Sequence, residues 1–230
     1  MRAKQVVLAD SAVSNRGNRG ANGVSVMLVD DHAMVTESLR LVLESAFLIV
    51  GIAADGLEAL AMFAQLHPKV VVADVGLPRM NGFDVCREIH SIDSGCVVVL
   101  LTGRTDERTI NEGVQCGANA MVSKSEGVAA LMTAIRQGLR GEPYFSNCLV
   151  GPILTSYRAT PQELLDPLTI RERQIVQLIA EGKSSKDIGE ALHLSVRTVE
   201  THRSRIMEKL NMHNVAALVR YAVRRGLISA

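Results

Sequence analysis

Asp30, Asp31, Asp74, Thr102 and Lys124 are the residues whose types and positions point first to chemistry. Each lies at the end of a short apolar run: 25–29, 70–73, 96–101 and 120–122. Crowded carboxylates repel one another, and a cation relieves the repulsion. Mg²⁺ suits such a group, because it takes hard oxygen ligands in octahedral geometry and keeps several waters. Lys124 offers a point charge to an anionic phosphoryl group. Thr102 offers a hydroxyl donor. A carboxylate can itself accept a phosphoryl group and become an aspartyl phosphate. One carboxylate at the end of an apolar run means little. Three, with a lysine and a hydroxyl, are hard to explain as loop solvation.

The elements that must position these residues can be read from periodicity. Apolar runs at 25–29, 48–53, 70–73, 96–101 and 120–122 have strand length. They lack polar alternation, as strands buried on both faces do. Between and after them lie helix-length periodic segments at 34–46, 57–66, 83–90, 107–115 and 127–140. Asp55 and Glu58 have the spacing of a capping box at one helix start. Five such repeats predict a doubly wound, five-stranded parallel sheet, flavodoxin-like, in the order 2-1-3-4-5. In that architecture ligands bind beyond the carboxyl ends of the strands, where the five polar residues fall. Pro78 is expected to shape the loop after Asp74, and Gly82 to permit a tight turn into the next helix.

The 230 residues are 47 % hydrophobic and 21 % charged, an ordinary globular composition. The net charge of +1 hides an asymmetry. Residues 24–142 hold 9 basic and 15 acidic residues, whereas 164–230 hold 11 basic and 7 acidic. An acidic front and a basic back suggest two modules with different partners. Residues 1–23, rich in Asn, Arg, Gly and Ser, read as a disordered tail. Residues 143–163, with three prolines, read as a linker. Residues 164–230 show helical periodicity at 172–181, 185–192, 196–210 and 215–225 and no strand signal. That is a small all-α bundle containing a helix-turn-helix. Cys86, Cys96, Cys116 and Cys148 have neither zinc nor CxxC spacing and read as free thiols of a reducing compartment. No apolar stretch approaches membrane-spanning length, and a cytoplasmic protein without a membrane partner is expected.

Asp30-Asp31, then Asp74 through Pro78 to Gly82, then Thr102 and Lys124, closely resemble the receiver domain of two-component response regulators over nearly all of 24–142. The resemblance implies that Asp74 accepts phosphate from the phosphohistidine of a sensor histidine kinase. It implies that Asp31, Asp74 and the Gly76 carbonyl hold Mg²⁺, with Asp30 helping through water. Lys124 would pair with the phosphoryl group, and Thr102 would shift towards it as a switch. The family usually has an aromatic switch residue three positions before the lysine. Met121 stands there, and it either fills that space or is plain core.

The stretch from Leu168 through Leu210 is similar to a LuxR-type DNA-binding domain, matching about 164–230. A receiver followed by this domain is the architecture of the NarL/FixJ response regulators. Ser195 has the chemistry of an N-cap for the third helix of the bundle. Leu194, Val196, Val199, Ile206 and Leu210 are candidate core. A helix-turn-helix places the start of its second helix in the major groove. Lys183, Lys186, Arg197, Arg203, Arg205 and Lys209 are candidates for phosphate contacts, with Ser184, Thr198 and His202 beside them. The family pattern turns Glu200, Thr201 and Ser204 towards bases. Glu200 replaces a commoner lysine; it could accept a hydrogen bond from cytosine or simply pair with a neighbouring arginine. The fourth helix, by resemblance, forms a symmetric dimer interface.

The reading is a phosphorylation-controlled transcriptional regulator, not an enzyme beyond its own phosphorylation and dephosphorylation. The unphosphorylated receiver would mask or misplace the DNA-binding helices. Phosphorylation would free the protein to form a homodimer on double-stranded promoter DNA. Two other classes remain open: a Mg²⁺-dependent phosphatase or hydrolase, and a signalling adaptor that binds no DNA.

Overall fold

The computed structural model describes residues 23–146, 148 and 167–228. The expected tail, apart from Gly23, and most of the expected linker lie outside the described residues. The first module alternates strand and helix: β1 (Ser25–Val29), α1 (Ala33–Leu43), β2 (Leu48–Ala53), α2 (Gly56–Leu66), β3 (Val70–Asp74), α3 (Gly82–Ile92), β4 (Val97–Thr102), α4 (Glu107–Gln115), β5 (Ala120–Ser123), α5 (Gly127–Gly138) and β6 (Tyr144–Phe145). All pairings are parallel, in the order β2-β1-β3-β4-β5-β6. The second module holds α6 (Ile170–Ala180), α7 (Ser185–Leu192), α8 (Val196–Lys209) and α9 (Val215–Arg224).

Strand residues alternate between two cores, as the two-residue period of a pleated strand requires. Met27, Val29, Val71, Ala73, Val98, Leu100 and Met121 face one core, with Phe63 of α2, Ile89 of α3 and Ile110 of α4. Val26, Leu28, Val70, Val72, Val99, Leu101 and Val122 face the other, with Leu43 of α1 and Leu131 and Ile135 of α5. Every residue of β3 and β4 is buried. Asp55 caps α2 through the N–H groups of Leu57 and Glu58, while Glu58 reaches back to the Ala54 N–H at 2.8 Å.

The structure corrects three details of the sequence reading. First, the sheet has a sixth strand. Tyr144 donates to the Asn119 carbonyl at 3.2 Å and Ser146 to that of Met121 at 3.0 Å, so the chain pairs with β5 where a linker was expected. Second, Gly82 has no positive φ; Arg79, at φ 63°, takes the left-handed residue of that loop. Glycine is needed at 82 because a Cβ would stand 2.2 Å from the Asp74 carbonyl oxygen. Third, Val196 is 49 % exposed. Side chains lean towards a helix's N-terminus, so this first residue of α8 overhangs the helix start instead of entering the core. Val199 and Ile206 are buried, with Leu194 and Leu210 packed against the same cluster.

A seam joins the modules. Residues Glu172 to Ile179 of α6 are all buried, because one side faces its own bundle and the other faces the first module. Gln177 spans the loop after β3: its amide oxygen accepts from the Asn81 N–H at 2.9 Å, and its nitrogen donates to the Leu77 carbonyl at 2.8 Å. Arg173 meets Asp84 through Nε at 2.9 Å and a terminal nitrogen at 2.8 Å. Asp84 also accepts from Asn81 at 3.0 Å and from Arg87 at 2.8 Å. A buried carboxylate is tolerable only when its lone pairs are filled in this way. Glu181 accepts from the Arg79 N–H at 3.0 Å.

Candidate functional site

The strand ends bring Asp30, Asp31, Asp74, Thr102 and Lys124 to one edge of the sheet. Asp30 and Asp31 follow β1, Asp74 closes β3, Thr102 closes β4, and Lys124 follows β5. The Lys124 ammonium lies 3.0 Å from Asp30 Oδ2 and 3.0 Å from Asp74 Oδ2, so one cation bridges two carboxylates. Its backbone N–H is tied to the Thr102 carbonyl at 2.8 Å, which fixes the β5 end against β4.

Sequence reasoning missed His32. Its Nδ1 lies 3.0 Å from Asp30 Oδ1 and 2.8 Å from Asp31 Oδ1. Potential ligand atoms of Asp30, Asp31, His32 and Asp74 all lie within 4.8 Å of one another. The one available signal was that His32 directly follows the acidic pair.

The electrostatics follow from burial. Asp30 and Asp74 are buried and Asp31 is exposed. Burial holds the Asp74 carboxyl above its ordinary value, even though Lys124 and the Gly76 N–H pull it down. Desolvation works against the charged Lys124, but Asp74 and Asp30 outweigh it and raise its affinity for its proton. Hydrogen bonding to Asp30 and the charge of Asp31 raise the exposed His32.

Three carboxylates form a hard-oxygen donor set, and two side-chain nitrogens, of Lys124 and His32, stand between them. Those nitrogens mark where positive charge relieves the repulsion. The residues therefore fit a small divalent cation such as Mg²⁺.

Thr102 is 1 % exposed. Its hydroxyl donates to the Arg104 carbonyl and accepts from the Arg104 N–H, both at 3.0 Å. Its side-chain hydrogen bonds therefore go to the β4–α4 loop. Met121 is fully buried and turns to Gly113 of α4, where an added Cβ would stand 2.0 Å from its sulfur. This packing is what either reading of Met121 requires, space-filling in place of the aromatic residue or plain core.

In the second module Ser195 caps α8, accepting from the Thr198 N–H at 3.1 Å. Lys183, Ser184, Lys186, Arg197, Glu200, Thr201, Ser204 and Arg205 are exposed, and Thr198, His202 and Arg203 half-buried. The start of α8 and its neighbour α7 thus present one polar, solvated face. Three charged candidates, Glu200, Arg203 and Lys209, are already engaged. Glu200 accepts from Ser185 and, at 3.4 Å, from Arg203, the neighbouring-arginine alternative. Lys209 lies 2.6 and 2.7 Å from the Glu172 carboxylate oxygens and ties the end of α8 to α6. Burial pushes Glu172 up, but Lys209 and Thr169 hold it below the usual carboxylate range.

A parallel sheet with this acidic edge, joined to a helix-turn-helix bundle, defines a two-module regulatory protein. Two family models match in that order: a response regulator receiver domain over residues 26–136, and the luxR family of bacterial regulatory proteins over 166–222. A putative transcriptional regulator of Pseudomonas aeruginosa is 34 % identical, over 88 % of this chain and 99 % of that one. The transcriptional regulatory protein LiaR of Bacillus subtilis is 32 % identical, over 90 % and 100 %. Among solved structures, a LuxR-family two-component response regulator from Aurantimonas is similar, with 28 % identity, a TM-score of 0.57, and coverage of 60 % of this chain and all of that one. The Salmonella typhimurium response regulator RcsB shares the fold at 21 % identity and a TM-score of 0.55, covering 88 % and 99 %. The chain belongs to the LuxR-family response regulators. Among the described residues, no helix is long and apolar enough to cross a membrane.

Proposed function

We propose that this chain is a phosphorylation-controlled transcriptional regulator of the cytoplasm, with a receiver at 24–142, a linker at 143–163 and a DNA-binding module at 164–230. The observation that carries this reading is the Lys124 ammonium held 3.0 Å from both Asp30 and Asp74, in a chain whose second module leaves the start of α8 in solvent.

Asp74 is the phosphoacceptor. A carboxylate oxygen attacks the phosphorus of a phosphohistidine on a sensor histidine kinase. The new P–O bond forms as the P–N bond breaks, and the imidazole leaves with the bonding pair. Asp31, Asp74 and the Gly76 carbonyl would hold Mg²⁺, with Asp30 acting through water; such an ion, when bound, would supply positive charge to the phosphoryl oxygens. Lys124 already touches the acceptor carboxylate, so it is placed to pair with those oxygens. Thr102 must exchange its bonds to Arg104 for one to the phosphoryl group, and this exchange moves the β4–α4 loop.

The second module binds double-stranded promoter DNA as a homodimer. Lys183, Lys186, Arg197 and Arg205 meet phosphates, and Thr201 and Ser204 meet base edges. Among the described residues the receiver bonds α6 and the end of α9 and leaves the start of α8 exposed, which favours control by placement of the module over masking. The chain has no enzymatic role beyond its own phosphorylation and dephosphorylation.

Incubation with acetyl phosphate tests the chemistry. One phosphoryl group should be added in the presence of Mg²⁺ and lie on Asp74, and Asp74→Asn should reduce incorporation to background. Full incorporation in Asp74→Asn would overturn the assignment.

A further inference from the structure

A cleft of about 500 Å³ opens between α4 and α9, lined by Glu107, Arg108, Glu112, Tyr221, Arg224 and Arg225 among others. A smaller recess adjoins it and adds Arg104 to the same Arg108, Arg224 and Arg225. Four guanidinium-bearing residues from two modules thus converge on one space.

The positive charge of Arg224 and Arg225 is not answered by a carboxylate among the described residues. Glu112 is taken by Arg87 on its other side, and Arg104 pairs with Asp106 at 3.0 Å. Arg108 donates to the Arg224 carbonyl, which engages the carbonyl end of α9. Arg225 lies over the Tyr221 ring, 5.7 Å from its centroid. Arg224 and Arg225 form no ion pair among the described residues. The end of α9 therefore brings two guanidinium groups without an ion pair among the described residues to the seam, with Glu107 the one lining carboxylate that no ion pair among the described residues engages.

We propose that this interdomain cleft binds a small anion carrying two or more phosphoryl groups, gripped between the α4 wall that bears Arg108 and, opposite, Arg224 and Arg225 at the end of α9. The geometry favours several phosphoryl groups over one, because the arginines stand on both walls and each planar fork matches a pair of phosphoryl oxygens. The volume lies in the range of small-ligand sites, roughly 300–1,000 Å³. Inorganic polyphosphate and a nucleoside polyphosphate share this chemistry. The bound anion joins the two modules and opposes their separation. Arg104, whose backbone holds the Thr102 hydroxyl, connects the cleft to the β4–α4 loop. The site itself stands whether or not Asp74 is the phosphoacceptor.

Calorimetric titration of the full chain, without Mg²⁺, tests the proposal with tripolyphosphate, ATP and orthophosphate as probes. Tripolyphosphate or ATP should bind more tightly than orthophosphate. The double variant Arg224→Glu/Arg225→Glu, on a solvated surface, should weaken that binding by at least about tenfold, the loss expected for charge-assisted contacts. Lys124→Ala should leave it unchanged, which separates the cleft from the acidic edge of the sheet. Gln177→Lys, which breaks the seam, should weaken it as the arginine variant does. Tighter binding of ATP than of tripolyphosphate would identify a nucleotide, and equal binding would identify the phosphate chain alone. No binding, or equal binding by the arginine variant, would overturn the proposal. Full binding by Gln177→Lys would also overturn it, because the arginines would then act as a surface of the free helical module.

Discussion

Asp30, Asp74 and Thr102 are 4, 7 and 1 % exposed, whereas Glu200, Thr201, Ser204 and Arg205 stand in solvent. In the receiver, polar groups separated by up to 94 residues are brought to one edge by four strands, and Lys124 ties Asp30 to Asp74 there. In α8 the candidate contacts come from one continuous helix, and their side-chain bonds are local: Thr201 donates to the Arg197 carbonyl, Ser204 to that of Glu200, and Arg203 to Glu200. A buried pocket of charges behaves as a unit, because removing one member leaves another uncompensated in a poorly solvated place. A solvated helix face behaves as a sum of small terms, which phosphate contacts add to individually.

Lys124→Ala should break that contrast most strongly. It leaves Asp30 and Asp74 facing each other without their shared cation. A fully buried pair that loses a partner costs roughly 3–5 kcal/mol; Lys124 is about one-third exposed, so about 2 kcal/mol is expected in denaturant unfolding. Added Mg²⁺ should restore part of it. A loss within about 0.5 kcal/mol would mean that the pocket is solvated like the helix.

Gly113→Ala probes packing behind the pocket. The new Cβ would stand 2.0 Å from the Met121 sulfur, and overpacking of this kind costs roughly 1–3 kcal/mol. Adding Met121→Ala should cost less in the Gly113→Ala background than in the wild type, so the pair would be non-additive. Additivity would place Met121 elsewhere.

Smaller effects are expected on the helix. Ser195→Ala removes the α8 cap and should lower stability by about 1 kcal/mol, with acetyl phosphate labelling unchanged. Arg205→Ala should leave stability within about 0.5 kcal/mol. It should reduce the slope of log affinity against log salt by about 1, as loss of one phosphate contact does. An unchanged slope would remove Arg205 from the DNA face.

The two regions were also unequally legible in sequence. The pocket could be read because unbroken apolar runs locate strand ends, and strand ends in a parallel sheet share an edge. His32 escaped because a histidine beside two aspartates has no spacing signal of its own. Strand β6 escaped because two residues, Tyr144 and Phe145, cannot display a period; their pairing depends on carbonyls at Asn119 and Met121. The cap at Ser195 was readable, because capping is local. The engagement of Lys209 by Glu172, 37 residues away, was not. The seam was least visible. The helical period at 172–181 carries no mark of what Arg173, Gln174 and Gln177 touch, and only the folded receiver reveals their partners at Asp84, Met80 and Leu77.

The most direct test of the central claim is binding to genomic DNA fragments, with and without acetyl phosphate and Mg²⁺, for the native chain and for Asp74→Ala. Particular fragments should be enriched, enrichment should rise on phosphorylation, and the rise should vanish in Asp74→Ala. Equal enrichment in all samples would contradict control by the receiver, and no enrichment in any would contradict DNA binding itself.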